Sequence, residues 1–261
     1  MTPWRPTDAT SLVPQAAIGR FGPEPDAPDV ETSSAAYAAR FAGRAGAWML
    51  EVQERVILRM LQSWQTAAIL EVGGGHGQIT GALAGRGHDV TVLGSDPRCQ
   101  ERIRSLVEQG RCRFVTGPLL ALPYPDRAFD IVISLRLLPH VEAWPRLVAE
   151  LARVARDAVL VDYPTARSLN CLTPALFGAK RRVEGNTRPY RLFREADVVE
   201  AFAAHGFTRR ARCAQFFWPM VLHRLVGRPG ISRALEGPGR LSGLTAWFGS
   251  PVLALWTREG L

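Results

Sequence analysis

Short apolar runs alternate with helical periods along most of this chain, and the alternation starts only after residue 34. Residues 1–34 are proline-rich and lack a hydrophobic period. They read as a tail that packs on the domain without joining its core. Ser33 and Ser34 cap a helix running from Ala35 to Gln62, broken or bent near Gly43 and Gly46. Trp48, Leu50, Val52, Val56, Ile57, Met60 and Leu61 give its later half an apolar face. Strands are then expected at Ala67–Leu70, Val90–Leu93, Arg111–Thr116, Phe129–Ser134, Ala158–Asp162, Phe207–Phe217 and Val252–Thr257. Helices fall between them, from Gln78 to a glycine stop at Gly85-Arg86-Gly87, after Asp96-Pro97, over Glu142–Arg156, and over Glu195–His205 before Gly206. This order predicts an α/β, doubly wound, mostly parallel sheet in one domain, residues 35–261. Two stretches exceed such a fold as insertions, about residues 165–194 and 218–250.

The first strand ends in Glu71-Val72-Gly73-Gly74-Gly75-His76-Gly77-Gln78. A strand, a glycine turn and a helix start form the crevice where open α/β sheets hold nucleotide-like ligands. Glycines there let backbone approach a ligand with no Cβ in the way. Spacing narrows the ligand. G-x-G-x-x-G fails, because Gln78 or Thr80 stands where the third glycine belongs. A phosphate loop fails too, because the chain's lone lysine is Lys180. What remains is E-x-G-x-G-x-G at Glu71, Gly73, Gly75 and Gly77, and the acid suits a ligand bearing an ammonium group. A glycine-rich turn with no ligand stays open.

That spacing resembles motif I of class I S-adenosylmethionine-dependent methyltransferases. A second stretch, from Leu122-Pro123-Tyr124-Pro125-Asp126 to Phe129-Asp130-Ile131-Val132, is similar to the L-P-F-P-D-x-x-F-D-x-V pattern of the ubiquinone and menaquinone biosynthesis methyltransferases. The resemblance implies a seven-stranded Rossmann-like sheet with an antiparallel last strand and S-adenosyl-L-methionine as cofactor at Glu71, Gly73, Gly75 and Gly77. It implies an N-terminal helix over the cofactor, bringing Tyr37 or Arg40 to it, although core packing also explains that helix. Family members carry an acid at the end of strand two for the ribose. Here Gly94 stands there and Asp96 follows two residues later, as a ribose ligand or as a helix cap. Pro118 replaces the acid expected near adenine, leaving apolar packing by Leu119.

The expected chemistry is methyl transfer to a small-molecule acceptor, on oxygen or carbon, with a lipid-linked or glycosylated metabolite suiting the mix of aromatics and arginines. Arg136 and His140 follow strand four at the ligand edge, and His140 is the candidate general base. A capping or packing role explains His140 equally. The first insertion, which carries Arg181, Arg182, Arg188 and Arg191, is expected to form the acceptor lid, with Arg188 and Tyr190 facing substrate. The connection after strand six is expected to leave the sheet's opposite end. Phe216, Phe217 and Trp218 lead into it and offer a hydrophobic patch for a membrane or partner.

Composition changes this picture little. The 261 residues carry a net charge of +8. The excess is arginine spread along the chain, without an aromatic RNA-binding pattern, which keeps an RNA methyltransferase as an alternative only. A non-catalytic S-adenosylmethionine-binding module is the other, because Gly94 and Pro118 depart from the cofactor pattern. Cys99, Cys112, Cys171 and Cys213 are scattered, which fits reduced thiols in a cytoplasmic protein rather than disulfides or zinc. Neither a signal peptide nor a membrane-spanning run is read, and no cluster has metal-ligand spacing.

Overall fold

The computed structural model describes residues 27–169 and 191–259. The chain opens with three helices, α1 (Pro28–Thr32), α2 (Ala35–Ala39) and α3 (Gly43–Met60). The helix expected from Ala35 is therefore two, with the break over residues 40–42 and Gly43, at φ +74°, opening the second piece. α3 runs on through Gly46 without bending off. The tail is shorter than its composition suggested. Residues 28–34 form α1 and its cap, and Asp29, Thr32 and Ser33 are buried. The buried Asp29 carboxylate, which accepts from Ser95, holds this segment down where an apolar period is lacking.

Seven strands follow: β1 (Ala68–Val72), β2 (Asp89–Gly94), β3 (Arg113–Thr116), β4 (Phe129–Ser134), β5 (Ala155–Tyr163), β6 (Phe207–Phe216) and β7 (Ser250–Arg258). Their order across the sheet is β3-β2-β1-β4-β5-β7-β6. β1 to β5 pair in parallel, while β7 is antiparallel to both β5 and β6. β1 lies inside the sheet, between β2 and β4, with Ile69, Leu70 and Val72 fully buried, as an apolar run requires when both faces are covered.

Two cores flank the sheet. One gathers Leu70, Val132, Val159 and Trp256 under α6 (Trp144–Val154) and α7 (Glu195–Ala203). The other gathers Ile69, Val92, Ile131 and Leu160 under α3, α4 (Thr80–Ala84) and α5 (Arg104–Glu108). In α6, Leu147, Val148 and Leu151 recur at helical spacing and are fully buried.

One topological expectation is corrected. β7 runs against both its neighbours, so β6 is parallel to β1–β5. Its end at Phe216 therefore lies at the same edge as the glycine turn, and the insertion after β6 emerges there and not at the far end. That insertion folds as α8 (Met220–Val226), α9 (Pro229–Leu241) and α10 (Leu244–Phe248). Among the described residues no helix is long and apolar enough to cross a membrane.

Candidate functional site

The site is built where β1, β2, β4 and β5 end. After Val72 the chain turns through Gly73 (φ +71°), one 3-10 turn at Gly74–His76, and Gly77 (φ +68°). Gly73 N–H donates to the Leu93 carbonyl at 2.8 Å, which ties the turn to the end of β2. A Cβ at Gly75 would lie 2.2 Å from the Cys99 carbonyl oxygen and 2.4 Å from Ser33 Oγ. Gly75 is thus required by the protein packed against the turn, whatever the turn binds.

Glu71, in β1, is fully buried. Thr80 Oγ1 donates to its Oε2 at 2.7 Å, while Oε1 has no hydrogen-bond partner among the described residues. Burial raises its carboxyl to about 7, against smaller lowering contributions from Thr80 and Arg136. A buried acid with one oxygen unsatisfied is poised for a further donor, and an ammonium group would supply it.

The end of β2 explains the missing family acid. A Cβ at Gly94 would come 2.7 Å from Cys99 Cβ and 3.1 Å from the Phe114 ring. No acidic side chain fits there. Asp96 instead caps the following 3-10 turn: Oδ1 accepts from Arg98 N–H at 2.8 Å and from Arg98 Nε at 2.9 Å. These bonds hold its carboxyl below the ordinary range. A different carboxylate reaches this corner. Asp29 of α1 accepts from Ser95 N–H at 2.7 Å and from Ser95 Oγ, and its Cβ lies 3.5 Å from where a Gly73 Cβ would stand. Sequence reading missed Asp29, because a five-residue helix in a proline-rich segment gives no periodic signal.

A third group surrounds Arg136, a non-glycine residue at φ +59°. Its backbone N–H donates to Asp162 Oδ1 at 2.6 Å, and its Nη2 donates to Gln53 Oε1 at 3.0 Å and to Gln78 Oε1. Gln53 Nε2 in turn donates to Asp162 Oδ2 at 3.1 Å. The guanidinium carbon sits 4.3 Å from the centre of the Phe41 ring. Burial lowers the Arg136 guanidinium and raises the Asp162 carboxyl. This closed ring of α3, the turn, β4 and β5 fixes the left-handed backbone at Arg136. Gln53, Gln78 and Asp162 carry no motif, and only contacts across the sheet edge bring them together.

The other expected residues fall as follows. Tyr37 and Arg40 lie in and just after α2; Arg40 stacks 4.8 Å from the Tyr37 ring and pairs with Glu31 at 3.5 Å. Burial raises the Tyr37 phenol, with Arg136 opposing, so it remains protonated at neutral pH. His76 Nδ1 accepts from Gln78 N–H at 3.2 Å, and burial, with Arg136 and Arg102 adding, lowers its imidazole well below the ordinary value. His140 ends the one-turn helix after β4, half-buried. Leu119 is buried beside Leu93 and Leu122 in the core. Arg181, Arg182, Arg188 and Tyr190 lie outside the described residues. Phe216 is buried against Trp48, and Phe217 and Trp218 are half-buried with both backbone N–H groups on Glu236, so these three are not the exposed patch expected of them.

Comparison with known proteins meets this geometry. A family described as "Methyltransferase domain" matches residues 70–160. An uncharacterized methyltransferase of Mycobacterium sp. (strain JLS) is 33% identical over 105 residues, 37% of this chain and 41% of that protein. A malonyl-[acyl-carrier protein] O-methyltransferase of Halorhodospira halophila is 30% identical over 186 residues, 67% of this chain and 61% of that protein. The chain thus spans less than two thirds of the length of either curated relative. Among solved structures, magnesium protoporphyrin IX methyltransferase of Synechocystis PCC 6803 with bound SAH aligns with a TM-score of 0.62 at 12% identity, over 86% of this chain and 93% of that one. That likeness speaks to the fold alone. With the glycine turn at the end of β1 and the strand order 3-2-1-4-5-7-6, residues 70–160 match a methyltransferase domain, and the sheet has the fold of the solved methyltransferase structures.

Proposed function

We propose that this protein transfers a methyl group from S-adenosyl-L-methionine to oxygen or carbon of a small-molecule acceptor. The observation that carries the reading is Glu71 Oε1, buried beneath the glycine turn without a partner. It suits a ligand with an ammonium group and not one with phosphates. S-adenosylmethionine, when bound, supplies an electrophilic methyl group on a sulfonium. Glu71 accepts from the ammonium of its amino-acid end, and the backbone at Gly73, Gly75 and Gly77 forms the floor. Asp29, at the corner where Gly94 excludes an acid, accepts from ribose hydroxyls, and Leu119 packs toward adenine. Tyr37 and Arg40 cover the cofactor from α2.

On the acceptor side, Arg136 orients an anionic or carbonyl oxygen, while the Asp162–Gln53–Gln78 ring keeps its guanidinium in place. His140 takes the acceptor's proton as the methyl group is transferred. Positioning in a water-poor cleft supplies much of the acceleration. Arg188 and Tyr190 are assigned to the acceptor lid, and the acceptor class is an amphipathic, lipid-linked or glycosylated metabolite. Arginine placement favours a small molecule over RNA. Arg113–Asp89, Arg153–Glu150, Arg156–Asp130 and Arg212–Glu195 are ion pairs, so these four arginines already have carboxylate partners within the chain.

Calorimetry with S-adenosylmethionine tests the first half of this reading, and a metabolite screen with labelled methyl tests the second. Binding to wild type and its loss in Glu71→Gln are expected. No binding by wild type overturns the cofactor assignment, and methyl appearing in RNA instead of small molecules overturns the acceptor class.

A further inference from the structure

The insertion after β6 is built inside out. In α9 the residues turned to the protein are Ser232, Glu236 and Gly239, all buried. Glu236 accepts from the backbone N–H groups of Phe217 at 2.9 Å and Trp218 at 3.0 Å, and lies 3.0 Å from His223 Nε2. The opposite row, Ile231, Ala234, Pro238 and Leu241, follows helical spacing and is exposed, Leu241 by 92%. The exposed apolar surface continues into α10 with Leu244, Trp247 at 64% and Phe248, and α8 adds Leu225 at 67%. A helix turned this way is not held by apolar burial; its polar face anchors it, and its apolar face is left for something else.

We propose that this face docks on the surface of an anionic lipid bilayer. Three observations favour lipid over a protein partner. Between residues 218 and 249 the charged residues are Arg224, Arg228, Arg233, Arg240 and one acid, and that acid, Glu236, is buried and engaged. Arg228, Arg233 and Arg240 are exposed, so the outer surface offers positive charge beside leucine, tryptophan and phenylalanine, the composition of helices that lie in the headgroup region. Trp247 and Phe248 stand next to each other near the end of the row, where an interfacial anchor belongs. The platform also joins the cleft: Met220 of α8 and Phe41 pack on the same cluster of Trp48, Met49 and Phe216, and the Phe41 ring covers Arg136. A bilayer-borne acceptor would thus meet the site from this side. That last step rests on the methyl-transfer reading, whereas the docking itself does not.

The test is co-sedimentation of the full chain with vesicles, either pure phosphatidylcholine or phosphatidylcholine with phosphatidylglycerol, at low and at physiological salt. Binding to the anionic vesicles, weakened by salt, is expected. Leu241→Glu with Trp247→Glu should lower the partition coefficient by about tenfold or more. Arg233→Gln with Arg240→Gln should lower it by about fivefold per arginine on anionic vesicles and hardly at all on neutral ones. These side chains point to solvent, and unchanged circular dichroism and unfolding midpoints would confirm that the variants fold. No binding of wild type to anionic vesicles, or equal binding by Leu241→Glu/Trp247→Glu, overturns the proposal. So does concentration-dependent self-association in place of vesicle binding, abolished by that variant, which would assign the face to a second copy of the chain.

Discussion

Glu71 and Glu236 are both buried glutamates beside a turn, and they carry opposite signatures. Glu236 accepts two backbone N–H bonds and meets His223; burial raises its carboxyl, yet those bonds outweigh burial and leave it below the ordinary value. Glu71 has one hydroxyl donor, and burial prevails, pushing it up to about 7. A saturated buried acid is a structural fastening. An unsaturated one stores a cost that a bound cation relieves. The contrast separates a part of the molecule that holds its own loops from the part proposed above to take the cofactor.

Removing Glu236 should do the larger damage. Glu236→Ala leaves two N–H groups and His223 buried without their acceptor, and about 3 kcal/mol or more of stability should disappear from a denaturant melt. A loss below about 1 kcal/mol would mean that the fastening is not one.

Glu71 should behave the other way. Its raised carboxyl contributes stability to the ligand-free protein that is fully present below the unfolded value near 4.5 and is lost as pH rises through about 7. Glu71→Gln should therefore gain on wild type by about 2–3 kcal/mol between pH 4.5 and 8 in paired thermal melts, while cofactor affinity falls. Proton release on S-adenosylmethionine binding near pH 7, read by calorimetry in buffers of different ionisation enthalpy, would sharpen the same point. A parallel pH dependence in the two proteins would refute it.

The two aspartates near β2 give smaller, opposed effects. Asp29→Ala should weaken cofactor binding by about 1.5–3 kcal/mol, the usual worth of a hydrogen bond to a charged group. If affinity rises instead, α1 is a plug and not a ligand. Asp96→Ala should cost about 1 kcal/mol of stability as a lost cap, with affinity intact.

β1, β4 and β5 were legible because each carries a continuous apolar run ended by a turn signal. The strand end at Glu71 and the turn at Gly73 were legible because a strand and the turn that follows it are contiguous in sequence. The ring around Arg136 was not. Gln53, Gln78 and Asp162 are 25 and 84 residues apart in succession, and nothing local marks any of them as a partner. Phe216–Trp218 looked like an exposed patch because aromatic density cannot tell a face that packs on Trp48 from one that meets solvent.

What the sequence determined by itself is whatever depends on neighbours along the chain: strand and helix periods and the glycine turn, while at Asp96 it left a cap and a ribose ligand both open. Only the tertiary structure decided that Gly94 has no room for an acid, that Asp29 reaches that corner from the N-terminal helix, and that the insertion after β6 stands at the ligand edge. The reason is common to all three. Steric room, carboxylate reach and strand direction are set by which segments meet in space, and a single chain written in order carries no record of those meetings.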